Sequence, residues 1–275
     1  MGAVSGDNAA TLLFAAILFA APGRAAETGL LEPTGPWNVD YAEHQCVASR
    51  PYESKEGPLH FLVKPSPSSD VMQIALVKRG GGPSKGIQVD TRIIMGSAPA
   101  VEAKQLSYAT AAQFVRLINL DQSGATALGK ANHIVWDASG ALLSLRLGDM
   151  ASVMSALADC RLDLAKYWNI GPEFAAALKS LPKPKQPILS LFSFSDYPEK
   201  AVREEQSGTT RFILLIDERG ALRDCMVVET SGIAVLDAQT CLVIKARGKF
   251  DPAIGADGKP ARASLTQRVR WELGE

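Results

Sequence analysis

The C-terminal part of the chain constrains the fold most, because it alternates β-forming runs and turn residues in a fixed order. Residues 210–216 and 222–228 are apolar, β-rich runs joined by the four-residue turn 217–220. Residues 233–247 have helical spacing, and residues 261–273 are long enough for a final strand. This order predicts a small domain with the sequence strand, strand, helix, strand.

Several short motifs lie along this stretch at regular spacing. They are Tyr197-Pro198, Ser231-Gly232, Leu236-Asp237, Phe250 with Pro252, and Gly258 with Pro260. In this order, residues 196–273 resemble the C-terminal domain of the TonB family. One departure is Thr230, where a serine commonly precedes the Ser-Gly pair. Most of these residues are turn formers and core anchors, so the resemblance predicts the fold more directly than the function.

The resemblance implies a binding site at an exposed sheet edge. Family members bind a short extended segment of an outer-membrane protein by strand addition, in which main-chain hydrogen bonds supply the affinity. The matching edge here is the strand 261–271. Its alternation places one polar set on a single side: Arg262, Ser264, Thr266, Arg268 and Arg270. Edge protection and solubility are the alternative role for the arginines.

The N-terminal residues predict export. Residues 9–22 form an uncharged apolar run that is shorter than the roughly 20 residues needed to cross a bilayer. Small residues follow it, so residues 1–26 are interpreted as a signal peptide and the protein as periplasmic. Against this, residues 1–8 contain no Lys or Arg, and the first positive charge is Arg24. A retained inner-membrane anchor and a buried helix are the alternatives.

Residues 27–180 predict a β-rich domain closed by a helix. Short runs bounded by turn residues predict strands at 59–63, 72–77, 86–94, 114–120, 131–136 and 141–147. Apolar residues then recur at three- and four-residue steps from Met150 to Trp168, with Asp149 as the predicted N-cap. The segment 181–195, rich in Pro and Lys, is interpreted as a stiff linker to the domain 196–275. The predicted fold class is therefore α+β.

The four cysteines are interpreted as two disulfides, because an even count in an exported chain favours pairing. Three pairings are formally possible. Strand and helix pack together in the fold that the resemblance implies, which favours Cys225 with Cys241. Cys46 and Cys160 then form the second pair, so that each bridge stays within one domain.

Composition and motifs indicate no cofactor, no metal and no catalytic constellation. Lys+Arg and Asp+Glu are both 29, and this balance gives no support for nucleic-acid binding. His44, His60 and His133 lack metal-ligand spacing. Residues 124–130 match a phosphate-loop pattern, but Ala131 stands where a Mg²⁺-binding hydroxyl is needed, so we interpret them as a loop without nucleotide.

Together these features predict a non-enzymatic periplasmic adaptor that binds an envelope-protein segment and is associated with outer-membrane transport. A membrane-anchored energy transducer of the TonB type is the first alternative. A periplasmic enzyme with a site in residues 27–180 is the second. The sequence names neither the partner nor the oligomeric state.

The N-terminus of the native protein distinguishes a free from an anchored protein. If residues 1–26 are a signal peptide, N-terminal sequencing of protein from the periplasm will find a start near Ala26 or Glu27. A start at residue 1 in membrane-bound protein would instead support a retained anchor.

Overall fold

The computed structural model describes residues 29–80, 87–109, 112–138 and 140–274, so the predicted signal peptide lies outside the described residues. The strands are β1 (Leu30–Leu31), β2 (Asn38–Ala42), β3 (Gln45–Ser54), β4 (Gly57–Pro65), β5 (Met72–Arg79), β6 (Ile87–Met95), β7 (Val101–Ala109), β8 (Gln113–Leu120), β9 (His133–Ala138), β10 (Ala141–Arg146), β11 (Leu178–Ser180), β12 (Lys183–Pro184), β13 (Gly208–Ile216), β14 (Leu222–Glu229), β15 (Phe250–Asp251), β16 (Ala253–Gly255), β17 (Pro260–Ala261) and β18 (Ala263–Trp271). The helices are α1 (Gln122–Lys130), α2 (Met150–Tyr167), α3 (Pro172–Ala175), α4 (Glu199–Arg203) and α5 (Ala234–Arg247), and 3-10 turns cover Ile188–Leu191 and Phe194–Asp196. Within the described ranges, no helix combines the length and apolar character needed to span a membrane.

The first ten strands form one curled sheet with the order β1-β10-β9-β6-β7-β8-β5-β4-β3-β2. β1 pairs with β10, and the chain then turns immediately toward β3, where Pro33 forms a bridge with Tyr52. The Tyr52 hydroxyl donates to the Arg146 carbonyl on β10 at 2.8 Å. These contacts bring β10 and β3 together, so the ten-stranded sheet is strongly curled.

The interior of the curled sheet holds the larger of two apolar cores. Phe61, Ile74, Ile93 and Trp136 are at most 1% exposed. Burying each such side chain stabilises the fold by about 1.5–3 kcal/mol. The Trp136 indole N–H is also satisfied, because it donates to Gln105 Oε1 at 2.6 Å.

Helix α2 closes this domain as the sequence predicts. The Asp149 carboxylate accepts from the Ser152 N–H at its N-terminus. Its buried face consists of Met150, Val153, Leu157, Cys160 and Leu164. The Sγ atoms of Cys160 and Cys46 lie 2.05 Å apart, so a disulfide ties α2 to β3.

The C-terminal domain has a three-stranded sheet with the order β14-β13-β18. Helix α5 packs on one face of this sheet, and the disulfide between Cys225 and Cys241 joins it to β14. The predicted turn 217–220 is present, with Gly220 at φ +79°. A Cβ atom there would lie 2.4 Å from the Phe250 carbonyl oxygen, so only glycine fits.

The segment predicted to be a linker is packed on the C-terminal domain. β12 pairs with β15, and β11, just before the segment, pairs with β16. Ile188 and Leu191 are 7% and 4% exposed. The Pro and Lys residues of this segment predict a stiff linker, whereas Ile188 and Leu191 anchor it in the core around α5. The division into residues 27–180, 181–195 and 196–275 stays a prediction.

The prediction that residues 124–130 form a loop is wrong, because Gln122–Lys130 is helix α1. Asp121 caps it by accepting from the Gly124 N–H at 2.9 Å, and Leu128 is fully buried. The glycines fit close contacts: a Cβ at Gly124 would lie 3.1 Å from Leu120 Cβ, and one at Gly129 3.4 Å from Met154 Cγ. The sequence also does not predict strands β1, β2, β3 and β7 of the large sheet or the short strands β11, β12, β15 and β16.

The ion pair between Asp196 and Arg247 predicts that the folded protein loses stability in acid. Its carboxylate accepts from the Arg247 guanidinium at 2.6 and 2.7 Å, and this pairing, opposed by desolvation and helped by Ser193, lowers the pKa of Asp196 to about 2. A lowered folded-state pKa stabilises the protein above about pH 4, and the gain is lost as the pH falls toward about 2. In urea unfolding, we expect the stability difference between wild type and Asp196→Asn to shrink across this window. Asp40→Asn, at an exposed position, is the control for the loss of one surface carboxylate.

Candidate partner-binding edge

Strand β18 is an open edge of the C-terminal sheet. It pairs with β13 along its whole length, from Ala263 opposite Ile216 to Trp271 opposite Gly208. Among the described residues, no other strand pairs with β18. Because successive residues of a strand direct their backbone groups to opposite sides, about half of its N–H and C=O groups point away from β13. These groups can receive an added strand.

The side chains of β18 alternate as the sequence predicts. Ala263, Val269 and Trp271 are at most 4% exposed and anchor the strand. Trp271 packs edge-on against Phe192 and Tyr197, and its indole N–H donates to Thr240 Oγ1 at 2.9 Å. The polar set points elsewhere: Thr266, Arg268 and Arg270 are exposed and Ser264 is half-buried. The strand is therefore fixed on one face and accessible on the other.

The opposite edge strand, β14, lies against the N-terminal sheet. Asp224 on β14 accepts from Lys64 on β4 at 3.3 Å and from Lys245 on α5 at 2.9 Å. Burial raises the pKa of Asp224, but the two lysines and the Cys225 N–H outweigh it and leave the pKa lowered. Met226 and Val228 belong to the apolar core of the N-terminal sheet. A cavity of about 120 Å³ is lined by β14, α5 and strands β4, β5 and β8.

A second contact holds helix α5 on the N-terminal sheet. Gln88 on β6 is 1% exposed, and its side-chain oxygen accepts from the Val235 N–H in the first turn of α5 at 3.2 Å. The Gln88 carbonyl oxygen also accepts from Lys200. Leu106 on β7 is buried within the core that surrounds α5. The N-terminal sheet therefore supplies the cap that α5 lacks from its own sequence.

Arg262 does not lie with the other predicted edge residues, because it precedes β18 and turns toward α2. Its guanidinium lies 3.9 Å from the centre of the Tyr167 ring, 3.6 Å from Glu43 and 3.0 Å from Glu218. Its carbonyl oxygen accepts from the Asn169 side chain at 2.9 Å. Arg262 therefore joins the start of the final strand to the N-terminal domain, and Ser264, Thr266, Arg268 and Arg270 remain along β18.

The motif residues near α5 build the fold. Asp237 is 2% exposed, and its carboxylate accepts from Thr210 Oγ1 at 2.7 Å, from the Ser231 N–H at 2.9 Å and from the Thr230 hydroxyl. Asp237 thus folds the turn after β14 back onto β13. The Thr230 hydroxyl makes this contact itself, so the departure from serine keeps the interaction.

A second cavity, of about 470 Å³, lies between β6–β8 and the turn at Thr230. Its carboxylates have structural partners: Asp90 contacts Lys104, Asp121 caps α1, and Asp237 holds the turn. Within the described part of the chain, no group of three or more His, Cys, Asp or Glu residues is placed to hold a metal ion.

Comparison with known families assigns the C-terminal domain. Residues 195–273 match the family described as the Gram-negative bacterial TonB protein C-terminal, which confirms the predicted resemblance. The family is associated with transport and with the cell envelope, and its C-terminal domains interact with outer-membrane proteins. A search of curated proteins found no match to the chain.

The contacts of Arg262 predict that its substitution lowers the free energy of unfolding more than substitution of Arg268 does. Arg262→Ala removes the stacking on Tyr167 and the ion pairs with two carboxylates, so we expect the free energy of unfolding to fall by about 1–2 kcal/mol. Arg268→Ala removes an exposed side chain, and we expect a change within about 0.5 kcal/mol. Urea unfolding measures both. Equal losses would contradict the assignment of Arg262 as a contact between the domains.

Proposed function

We propose that this protein is a periplasmic adaptor that binds an extended segment of an outer-membrane or other envelope protein. The segment adds as a new strand to the open edge of β18. The observation that carries this proposal is the contrast between the two edges of the C-terminal sheet. Met226 and Val228 of the edge strand β14 are buried against the N-terminal sheet, whereas Thr266, Arg268 and Arg270 of the edge strand β18 are exposed.

Strand addition suits the chemistry of this edge. The unpaired N–H and C=O groups of β18 supply main-chain hydrogen bonds that depend little on the partner's sequence. The exposed residues Thr266, Arg268 and Arg270, with Ser264 beside them, then contact the partner's side chains. Trp271 holds one end of β18 through three contacts, so little ordering of the edge is needed on binding.

The N-terminal domain contributes by holding the C-terminal domain in one orientation. Its contacts through Lys64, Gln88 and Glu43 bind β14, α5 and the start of the final strand. The two disulfides stay within residues 46–160 and 225–241, which supports folding in an oxidising compartment such as the periplasm.

An inner-membrane-anchored energy transducer is the second candidate. It requires that the apolar run at residues 9–22 is retained as a tether, although the run is shorter than the roughly 20 residues of a usual span. Both candidates use the same edge for the partner. They differ in the fate of residues 1–26, and neither requires catalytic chemistry.

A pair of proline substitutions tests the edge. Thr266 and Gln267 are neighbours on β18, so one N–H points to β13 and the other to the open edge. Proline has no N–H and adds bulk on the side that its nitrogen faces. We expect one variant to lose stability and the other to stay folded but bind extended peptides from outer-membrane receptors at least tenfold more weakly. Fluorescence anisotropy measures the affinity, and circular dichroism measures the fold.

Thr266→Ala and Gln267→Ala are the matched controls, because they keep the N–H groups. They should bind almost as wild type does. If the folded proline variant binds with wild-type affinity, the partner does not add to β18 and the proposal fails.

A further inference from the structure

A row of charged residues crosses one face of the C-terminal sheet and stops at its open edge. Glu229 on β14 lies opposite Arg211 on β13, which lies opposite Arg268 on β18. The Glu229 carboxylate is 3.8 Å from the Arg211 guanidinium, whereas Arg268 has no carboxylate partner within the described ranges. Like charges directly opposite each other destabilise a sheet. The row therefore ends on an uncompensated positive charge.

A second cation lies two residues further along the same face. Arg270 is opposite Thr209, and its side chain is 72% exposed. The Arg270 guanidinium forms an ion pair with Glu272, which lies two residues later in the chain and is 56% exposed. Pairs this exposed are weak and exchange partners readily. Arg268 and Arg270 thus present two positive charges at the spacing of alternate residues in a strand.

We propose that the segment added to β18 carries acidic side chains at alternate positions, facing Arg268 and Arg270. This inference rests on the proposed strand addition and names the chemistry of its partner. In an added strand, side chains on the same face lie about 4.5–5.5 Å from their neighbours across the pair, measured between Cβ atoms. An Asp or Glu opposite Arg268 would compensate its charge, as Glu229 compensates that of Arg211.

The same charges disfavour a second copy of this chain as the occupant of the edge. Antiparallel pairing of two β18 strands would place the Arg268 and Arg270 pairs of the two copies on one face. The strand itself contains no Asp or Glu to offset them. Such like-charge contact is a common protection of edge strands against self-association.

Three end-blocked peptides of the length of β18 test this inference with the full chain. They alternate threonine with glutamate, with glutamine or with lysine. We expect the glutamate peptide to bind more tightly than the glutamine peptide, by about two- to fivefold for each charge pair, and the lysine peptide to bind most weakly. The preference should decrease as salt is raised.

Charge reversal locates the effect. The double variant Arg268→Glu/Arg270→Glu should invert the order of the three peptides. Arg223→Glu is the matched control, because Arg223 is an exposed arginine on β14, at the other side of the sheet from β18. It should leave the order unchanged.

The outcomes separate this inference from the proposed function. Equal affinity for all three peptides would overturn the acidic preference and leave strand addition standing. A glutamate preference that survives the double charge reversal would place the acid-binding site elsewhere and also overturn it. Failure of every peptide to bind would contradict strand addition itself, and a wild-type dimer joined through β18 would make a second copy the occupant.

Discussion

The packing of the N-terminal sheet against the β14 side of the C-terminal sheet is the constraint on which the rest depends. A three-stranded sheet has two edges, and each presents unpaired backbone groups. Here the ion pairs of Asp224 and the burial of Met226 and Val228 hold one face of β14 against the N-terminal sheet, whereas Thr266, Arg268 and Arg270 on β18 stay exposed. The edge of β18 is left as the available strand for a partner. Packing on the large N-terminal sheet thus makes the two outer strands of the small C-terminal sheet different.

Two kinds of contact maintain this arrangement. Disulfides brace each domain internally, from α2 to β3 and from α5 to β14. Between the domains, polar contacts add to the apolar burial of Met226 and Val228: Gln88 caps α5, and Arg262 stacks on Tyr167 beside two carboxylates. A buried polar contact such as that of Gln88 is costly to break on one side only, so it favours a single relative orientation of the domains.

Local signals made part of this fold predictable. The turn at Gly220, the apolar spacing of α2 and the alternation of β18 each depend on neighbouring residues, and the structure confirms them. Helix α1 is not predicted from the sequence, because it is short and contains two glycines, which are poor helix formers. The N-cap at Asp121 alone does not identify it. The covered state of β14 and the role of Arg262 depend on residues distant in sequence, such as Lys64 and Glu43. No local pattern in one sequence reports such contacts.

Amide hydrogen exchange tests the central claim most directly. In the free protein, alternate amides of β18 should exchange quickly, because they face the open edge, while those paired with β13 are protected. Addition of an extended peptide from an outer-membrane receptor should slow the fast set on β18 and leave β14 unchanged. Slowing on β14 or at the N-terminus of α5, with β18 unaffected, would contradict the account.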